Sequence, residues 1–306
     1  DENGAPIDVN IDPAGPPAPI VTKAEVFARI TNLLNEAAAH LAAAGTTFPH
    51  AFSAGYAGFD TPPTFLMFNR ALLARVAAYQ QDWNGVLAAL AGSFVNSAAP
   101  LTLGVYHTFS TAAGDSLNQL FDPVADFIVA HPTMASGAQL QAGGQPDQRF
   151  LTKTAPLSPP ATSQGLTSSH RLNVYPSASA PIPIIRNEEL ILLRAEANIN
   201  LNNFAAAVTD LNEIRAEAGN LPPYAGALDQ ASLITELLYN RRYSLFLEGG
   251  HSWIDARRYG RLTDLSQDVS PQLGTALRFR KFPFPSNECL ARDPQPAQGC
   301  TPEVGF

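Results

Sequence analysis

Two stretches of this chain repeat one helical design, and that repetition constrains the fold more than any other feature. In the first, Arg75 precedes Trp83, Leu87 and Leu90; in the second, Arg194 precedes Phe204, Val208 and Leu211. The second helices match at the same spacing of 0, +4 and +7, so each presents one apolar stripe. A short polar link, QQD in one case and LNN in the other, folds each helix back on its predecessor. A lone pair of this kind leaves an apolar face uncovered, so pairs must stack. The pattern predicts a mainly α fold, a tetratricopeptide-like helical hairpin scaffold. Two unrelated helical hairpins would give the same pattern.

The rest of the chain reads around that scaffold. Thr22 and Glu25 form a capping box for a helix over 22–44, with Phe27, Ile30, Leu34, Ala38 and Leu41 at helical spacing and Gly45 as a left-handed C-cap. Residues 45–60 form an aromatic-bearing loop, and Thr61-Pro62-Pro63 starts the next helix. Residues 100–186 form a long, loop-rich insertion, with a short helix near 117–130 and irregular chain through SPPATSQGLTSSH. Helices resume over 187–200, 203–218 (with Gly219 as its cap), 232–249 and 253–259, and Gly249-Gly250 supplies a left-handed turn. The expectation is one domain over 1–306: helical parts at 22–99 and 187–260, the insertion between them, and an extended tail over 261–306. In that tail FPFPSNE is expected to lay its phenylalanines on the core.

Composition narrows the function. The chain has 306 residues and a net charge of −8, which disfavours nucleic acid and polybasic membrane binding. Residues 83–114 lack any Asp, Glu, Lys or Arg, but Asn84, Ser93, Asn96, Ser97, Pro100 and His107 break them up, so no transmembrane span is expected. The first twenty residues are acidic and proline-rich and read as the middle of a longer chain, with any targeting segment upstream. Cys289 and Cys300 lack the CxxC pairing of a zinc site and read as one disulfide closing a short loop, against the alternative of two free thiols.

No catalytic motif stands out. The chain has no GxSxG, GxxxxGK[ST], HExxH or GxGxxG. His40, His50, His107, His131, His170 and His251 are scattered, with no i, i+4 pair, so neither a metal site nor a cofactor is expected. Asp60, Asp115, Asp122, Asp126 and Asp147 lie in or near loops, and nothing marks two of them as a glycosidase pair. Between residues 241 and 258, Arg241, Arg242, Glu248, Asp255, Arg257 and Arg258 punctuate an apolar pattern; they read as structural ion pairs, with ligand contact as the lesser alternative. Aromatic side chains mark three loops: Phe48, Phe52, Tyr56 and Phe59; Tyr106 and Phe109 around His107; and Tyr175. Such aromatics either display a ligand surface or pack their loops down.

The segments IRNEELILLRAEANINLNNFAAAVTDLNEIRAEAG, NRRYSLFLEGGHSWIDARRYG and FPFPSNE, in this order and spacing, resemble the SusD/RagB-like family of outer-membrane nutrient-binding lipoproteins. PDQRF at 146–150 and RALLARVAAYQQDW at 70–83 resemble further elements of that family. Asn240 stands where the family often has Glu, and His251-Ser252 where an Arg is common. The resemblance implies a non-enzymatic binding protein at the outer-membrane surface, lipid-anchored through an N-terminus upstream of residue 1. It further implies capture of an oligosaccharide or peptide for a SusC-like TonB-dependent outer-membrane transporter. Its loops build the ligand surface, which points to Tyr56, Phe59, Tyr106, His107, Phe109 and Tyr175. Two other readings compete: a helical-repeat interaction scaffold without a nutrient role, and a hydrolase.

Overall fold

The computed structural model describes all residues except 1, 11, 13, 126, 164, 266–278, 293–298 and 302–306. Two short strands, β1 (Ala5–Pro6) and β2 (Ile20–Val21), pair antiparallel and lead into α1 (Lys23–Ala43). The capping box at the start of α1 is complete: Thr22 Oγ1 accepts from the Glu25 amide, and Glu25 Oε2 accepts from the Thr22 amide at 2.8 Å. Gly45 is not the left-handed stop expected for this helix. Ala44 leaves it in an extended conformation (φ −75°, ψ 141°), its amide still bonded to the His40 carbonyl.

The first hairpin consists of α2 (Pro62–Tyr79) and α3 (Trp83–Ala91). Thr61 and Asp82 cap them, and Asp82 Oδ1 accepts from the Gly85 amide at 2.9 Å. Small residues let the helices approach closely. Ala71, Ala74 and Ala78 on α2 are fully buried, as is Val86 on α3.

The insertion begins and ends in one ladder. β3 (Gly104–His107) pairs antiparallel with a strand at Ile182–Arg186 that closes the excursion. Gly104 permits this closure, because a Cβ there would sit 2.4 Å from the Ile185 carbonyl oxygen. Within the insertion are α4 (Pro132–Ser136), α5 (Gln148–Lys153) and a hairpin of β4 (Thr154–Ser163) and β5 (Leu166–Leu172), after which the closing strand is β6.

Two local expectations fail here. Among the described residues of 117–130 there is no helix. Asn118 Oδ1 accepts from the Leu120 amide, and Asp122 Oδ2 accepts from the amides of Phe127 and Ile128, so side chains take the donors a helix would use. Pro123 also lies in this stretch, and Ala125 has φ 58°. SPPATSQGLTSSH is not irregular but carries the β4–β5 hairpin, with Gly165 at φ 84°. Its prolines hid it: the register breaks between Pro156 and Ala161, where Pro159 and Pro160 remove ladder donors.

The second hairpin consists of α6 (Asn187–Asn200) and α7 (Phe204–Glu217). Gly219 is not its left-handed residue; Asn220 is, at φ 49°. Two more helices, α8 (Gln230–Ser244) and α9 (His251–Arg258), follow. The helix expected over 232–249 therefore stops at Ser244. The chain then turns through Leu247, Gly249 and Gly250, all at positive φ.

Helix α6 is the hub. Leu190, Leu193 and Ala197 pack with α2, α3, Val105 and Ile185 in one core. Ile191, Leu192, Ala195 and Ile199 pack with α7 and α8 in a second. A helix buried on nearly every side aligns the two hairpins and holds the root of the insertion. A third cluster, Met134, Phe150 and Tyr243, fastens the insertion to α8.

In the described part of the tail, α10 (Ser286–Leu290) carries Cys289, which is disulfide-bonded to Cys300. FPFPSNE does not bury its phenylalanines as expected. Phe282 is 63% exposed, resting one face on Trp253 with ring centroids 4.8 Å apart, and Phe284 is half-buried.

Candidate functional site

The charged residues of α6 explain how the loops are held in place. Glu188, Glu189 and Glu196 are buried on α6 beside its apolar side chains, and each meets an arginine. Glu189 accepts two hydrogen bonds from Arg75 of the first hairpin, at 2.6 and 2.7 Å. Burial opposes its ionisation, but Arg75, with support from Arg241, holds its carboxyl below the usual range. Glu196 accepts from Arg241 (3.3 Å), Arg258 (2.5 Å) and the Tyr259 hydroxyl (2.6 Å). Arg186, the last residue of β6, bonds Glu188 and both oxygens of Glu248, the latter at 2.7 and 2.9 Å.

Of the six charged residues singled out between 241 and 258, four join this framework. Arg241 Nε donates to Asp255 Oδ2 at 2.7 Å, and Arg258 donates to Asp255 Oδ1 at 2.9 Å. Glu248 pairs with Arg186 and Lys153. Arg242 departs from the expected ion pair: it donates to Thr133 Oγ1 at 2.6 Å and lies over the Tyr243 ring, facing the insertion, with no carboxylate partner among the described residues. Arg257 pairs with exposed Glu2 and lies over the Trp253 ring, away from the buried framework. Sequence reading missed Arg75, Arg186, Glu188, Glu189 and Glu196 as partners. The available signal was the run of charges Glu188, Glu189, Arg194 and Glu196 interleaved with Leu190, Ile191, Leu192 and Leu193 on one helix.

His251 belongs to this framework too. Arg241 Nη2 lies 3.2 Å from Nδ1, so Nδ1 must accept and the proton sits on Nε2, which faces Glu189 at 4.0 Å. Burial pushes its pKa down to about 4, against the pull of Glu189.

PDQRF pins the insertion. Fully buried Asp147 caps α5 and accepts from Arg149 Nε (3.0 Å) and Nη2 (2.6 Å) and from the Tyr239 hydroxyl (2.7 Å). Arg149 Nη1 continues to Asn240 Oδ1 and Ser244 Oγ, both at 2.9 Å.

The designated aromatics divide into two groups. Phe59 is 3% exposed and packs edge-on against Phe94, and Tyr175 is 6% exposed with its hydroxyl donating to the Leu247 carbonyl. These two side chains pack their loops down and offer no ligand face. Tyr56, Tyr106 and Phe109 are half-buried and His107 is exposed. Their two loops meet because Gly55 lies against the backbone of Tyr106, where a Cβ would be 2.0 Å from the carbonyl oxygen. Tyr56 stacks on Phe65 at 6.0 Å with the rings 7° from parallel, and Phe52 lies 5.3 Å from Tyr56. Phe48 extends the cluster, 5.0 Å from Phe52, and His107 meets Phe109 edge-on at 4.7 Å. The result is a partly exposed aromatic cluster over Phe48, Phe52, Tyr56 and Phe65, with the His107–Phe109 pair on the adjoining loop at the root of the insertion. Such a cluster can stack on the apolar side of a sugar ring or a planar side chain.

A separate cleft of about 760 Å³ lies beside α1 and α9, lined by residues including Lys23, Phe27, Tyr79, Ile254, Arg257 and Arg258. None of the six designated ligand residues lines it. Asp126, among the loop carboxylates, lies outside the described residues. Among the described residues, no group of three or more His, Cys, Asp or Glu is placed to hold a metal ion, and no helix is long and apolar enough to cross a membrane.

Residues 172–288 match the model of the SusD family. No match is found among curated proteins. Among solved structures, a SusD superfamily protein from Bacteroides vulgatus superposes with a TM-score of 0.61 at 17% identity, over 86% of this chain and 64% of that one. A SusD-like protein from Bacteroides fragilis gives 0.62 at 14% identity, over 85% and 65%. A laminarin binding SusD-like protein gives 0.58 at 18% identity, over 85% and 68%. The chain thus spans less than two thirds of the length of the first two. At these identities the likeness is one of fold.

Proposed function

From the premise that residues 172–288 and the fold are those of the SusD/RagB-like family, we propose that this chain is a nutrient-binding protein that captures an oligosaccharide. The observation that carries this reading is the aromatic face of Phe48, Phe52, Tyr56 and Phe65, set beside Tyr106 and His107 on a rigid helical frame. Flat, partly exposed rings with polar neighbours suit the alternating apolar and hydroxyl surfaces of a sugar, and rings that also pack against one another are held ready for it. The laminarin-binding neighbour supports a glycan over a peptide. Exposed His107 supplies a polar group at the rim, while the Tyr106 hydroxyl donates to the Thr102 carbonyl.

In this proposal the protein works at the outer-membrane surface as a lipid-anchored protein. It hands its cargo to a SusC-like TonB-dependent transporter. Binding needs no bond-making step, and the buried Arg–carboxylate pairs serve as fixtures for the loops. An array of neutral oligosaccharides and peptides tests the reading. Saturable binding of at least one oligosaccharide is expected, with a TonB-dependent barrel recovered when the protein is purified from its native membrane. Binding confined to peptides would replace the glycan, and recovery of a soluble protein partner with no barrel would favour an interaction scaffold.

A further inference from the structure

We propose that the cleft beside α1 and α9 is a second binding site, for a carboxylate-bearing ligand, and that Glu2 occupies the position of the ligand's carboxylate. Lys23 Nζ and Arg257 Nη2 converge on a single oxygen, Glu2 Oε1, at 2.6 and 3.0 Å. Two cations from different elements, the first turn of α1 and the end of α9, are therefore already spaced to clasp one carboxylate. Pre-organised donors of this kind lower the ordering cost of binding.

The clasp is fixed from behind. The Arg257 guanidinium lies over the Trp253 ring at 4.4 Å, and Trp253 is anchored by its Nε1–H on the Phe279 carbonyl. Arg258 adds positive charge to the wall while its own bonds go inward to Glu196, Asp255 and the Ala78 carbonyl. A cationic wall in a chain of net charge −8 is a local inversion of sign. The cleft holds about 760 Å³ with Glu2 in place, enough for the body of a ligand of a few rings or residues.

Glu2 is suited to being displaced. Its side chain is 49% exposed, and a pair so open to solvent contributes little to the fold. It arrives on a segment tethered by the β1–β2 ladder and by Asn3, which donates to the Phe282 carbonyl, so it acts as an internal competitor at high local concentration. This inference rests on the cleft's own geometry and is independent of the aromatic face.

Calorimetric titration of the full chain with trigalacturonate, with triglutamate and with neutral maltotriose tests it. Uronate and acidic-peptide sources share the recognised group, and these arms tell them apart. At least one acidic probe should bind, with affinity falling as salt rises. Lys23→Ala and Arg257→Ala should each weaken binding by about tenfold or more, and Glu2→Gln should tighten it by about threefold or more. Lys23 is 40% exposed, so its variant keeps the test valid should Arg257→Ala lose the fold. Absence of acidic-probe binding even to Glu2→Gln, or affinity unmoved by Lys23→Ala, would overturn the site. Unchanged affinity in Glu2→Gln alone would overturn the role given to Glu2. Neither result bears on maltotriose bound at the aromatic face.

Discussion

Arg75 of the first hairpin and Glu189 of the second share two parallel hydrogen bonds, 2.6 and 2.7 Å long, and Arg75 also donates to the Ile184 carbonyl in β6. One guanidinium thus ties two helical pairs and the closing strand of the insertion together. Its counterpart by sequence, Arg194, pairs with Asp210 inside its own hairpin and reaches out to the Ser97 hydroxyl, at 2.8 Å.

Breaking the Arg75–Glu189 pair should loosen the frame. Glu189→Ala leaves Arg75, itself only 22% exposed, without its carboxylate, and should cost on the order of 3 kcal/mol. Replacing the exposed Glu36, which lies 3.8 Å from His40 on α1, should cost a few tenths at most. Denaturant melts of the two variants check the contrast.

His251 should make the protein acid-sensitive. Burial lowers its folded pKa to about 4, below the ordinary 6.5, while Arg241, Glu189, Asp255 and Arg75 surround it. The unfolded chain therefore binds the proton first as pH falls. The stability held by neutral His251 is complete above about pH 6.5 and declines down to about pH 4, by about 3 kcal/mol. His251→Gln should flatten unfolding free energy across that window, as measured by urea melts at each pH.

Asn240 marks where this chain departs from the resembled family, which often has Glu there. Its amide donates to Glu236 Oε1 at 2.6 Å, while its oxygen accepts from Arg149. Asn240→Glu would keep the acceptor but lose the donor and set two buried carboxylates together, at a cost of about 2 kcal/mol or more. The melting temperature should fall, and fall further at pH 8 than at pH 5, where one carboxyl can hold a proton.

The helices were legible because their apolar residues recur at helical spacing, as with Phe204, Val208 and Leu211. The ion framework was legible only on one side. Arg241, Asp255 and Arg258 sit close in sequence, whereas Glu196 lies 45 residues from Arg241 and nothing local joins them. The β4–β5 hairpin escaped notice because its prolines break both the alternation and the register. Aromatic content marked candidate loops but could not separate half-buried Tyr56, which stacks on Phe65, from Phe59, three residues on and buried against Phe94. That difference is set by tertiary packing.

Calorimetric titration of an array-selected neutral oligosaccharide tests the central claim most directly, with wild type compared against Phe52→Ala and Tyr56→Ala. Both side chains are half-buried at the surface, so the variants should remain folded. Capture by the aromatic face predicts saturable binding to wild type and a loss of about tenfold or more in each variant. Equal affinity in all three proteins, or no oligosaccharide bound by folded wild type, would contradict it.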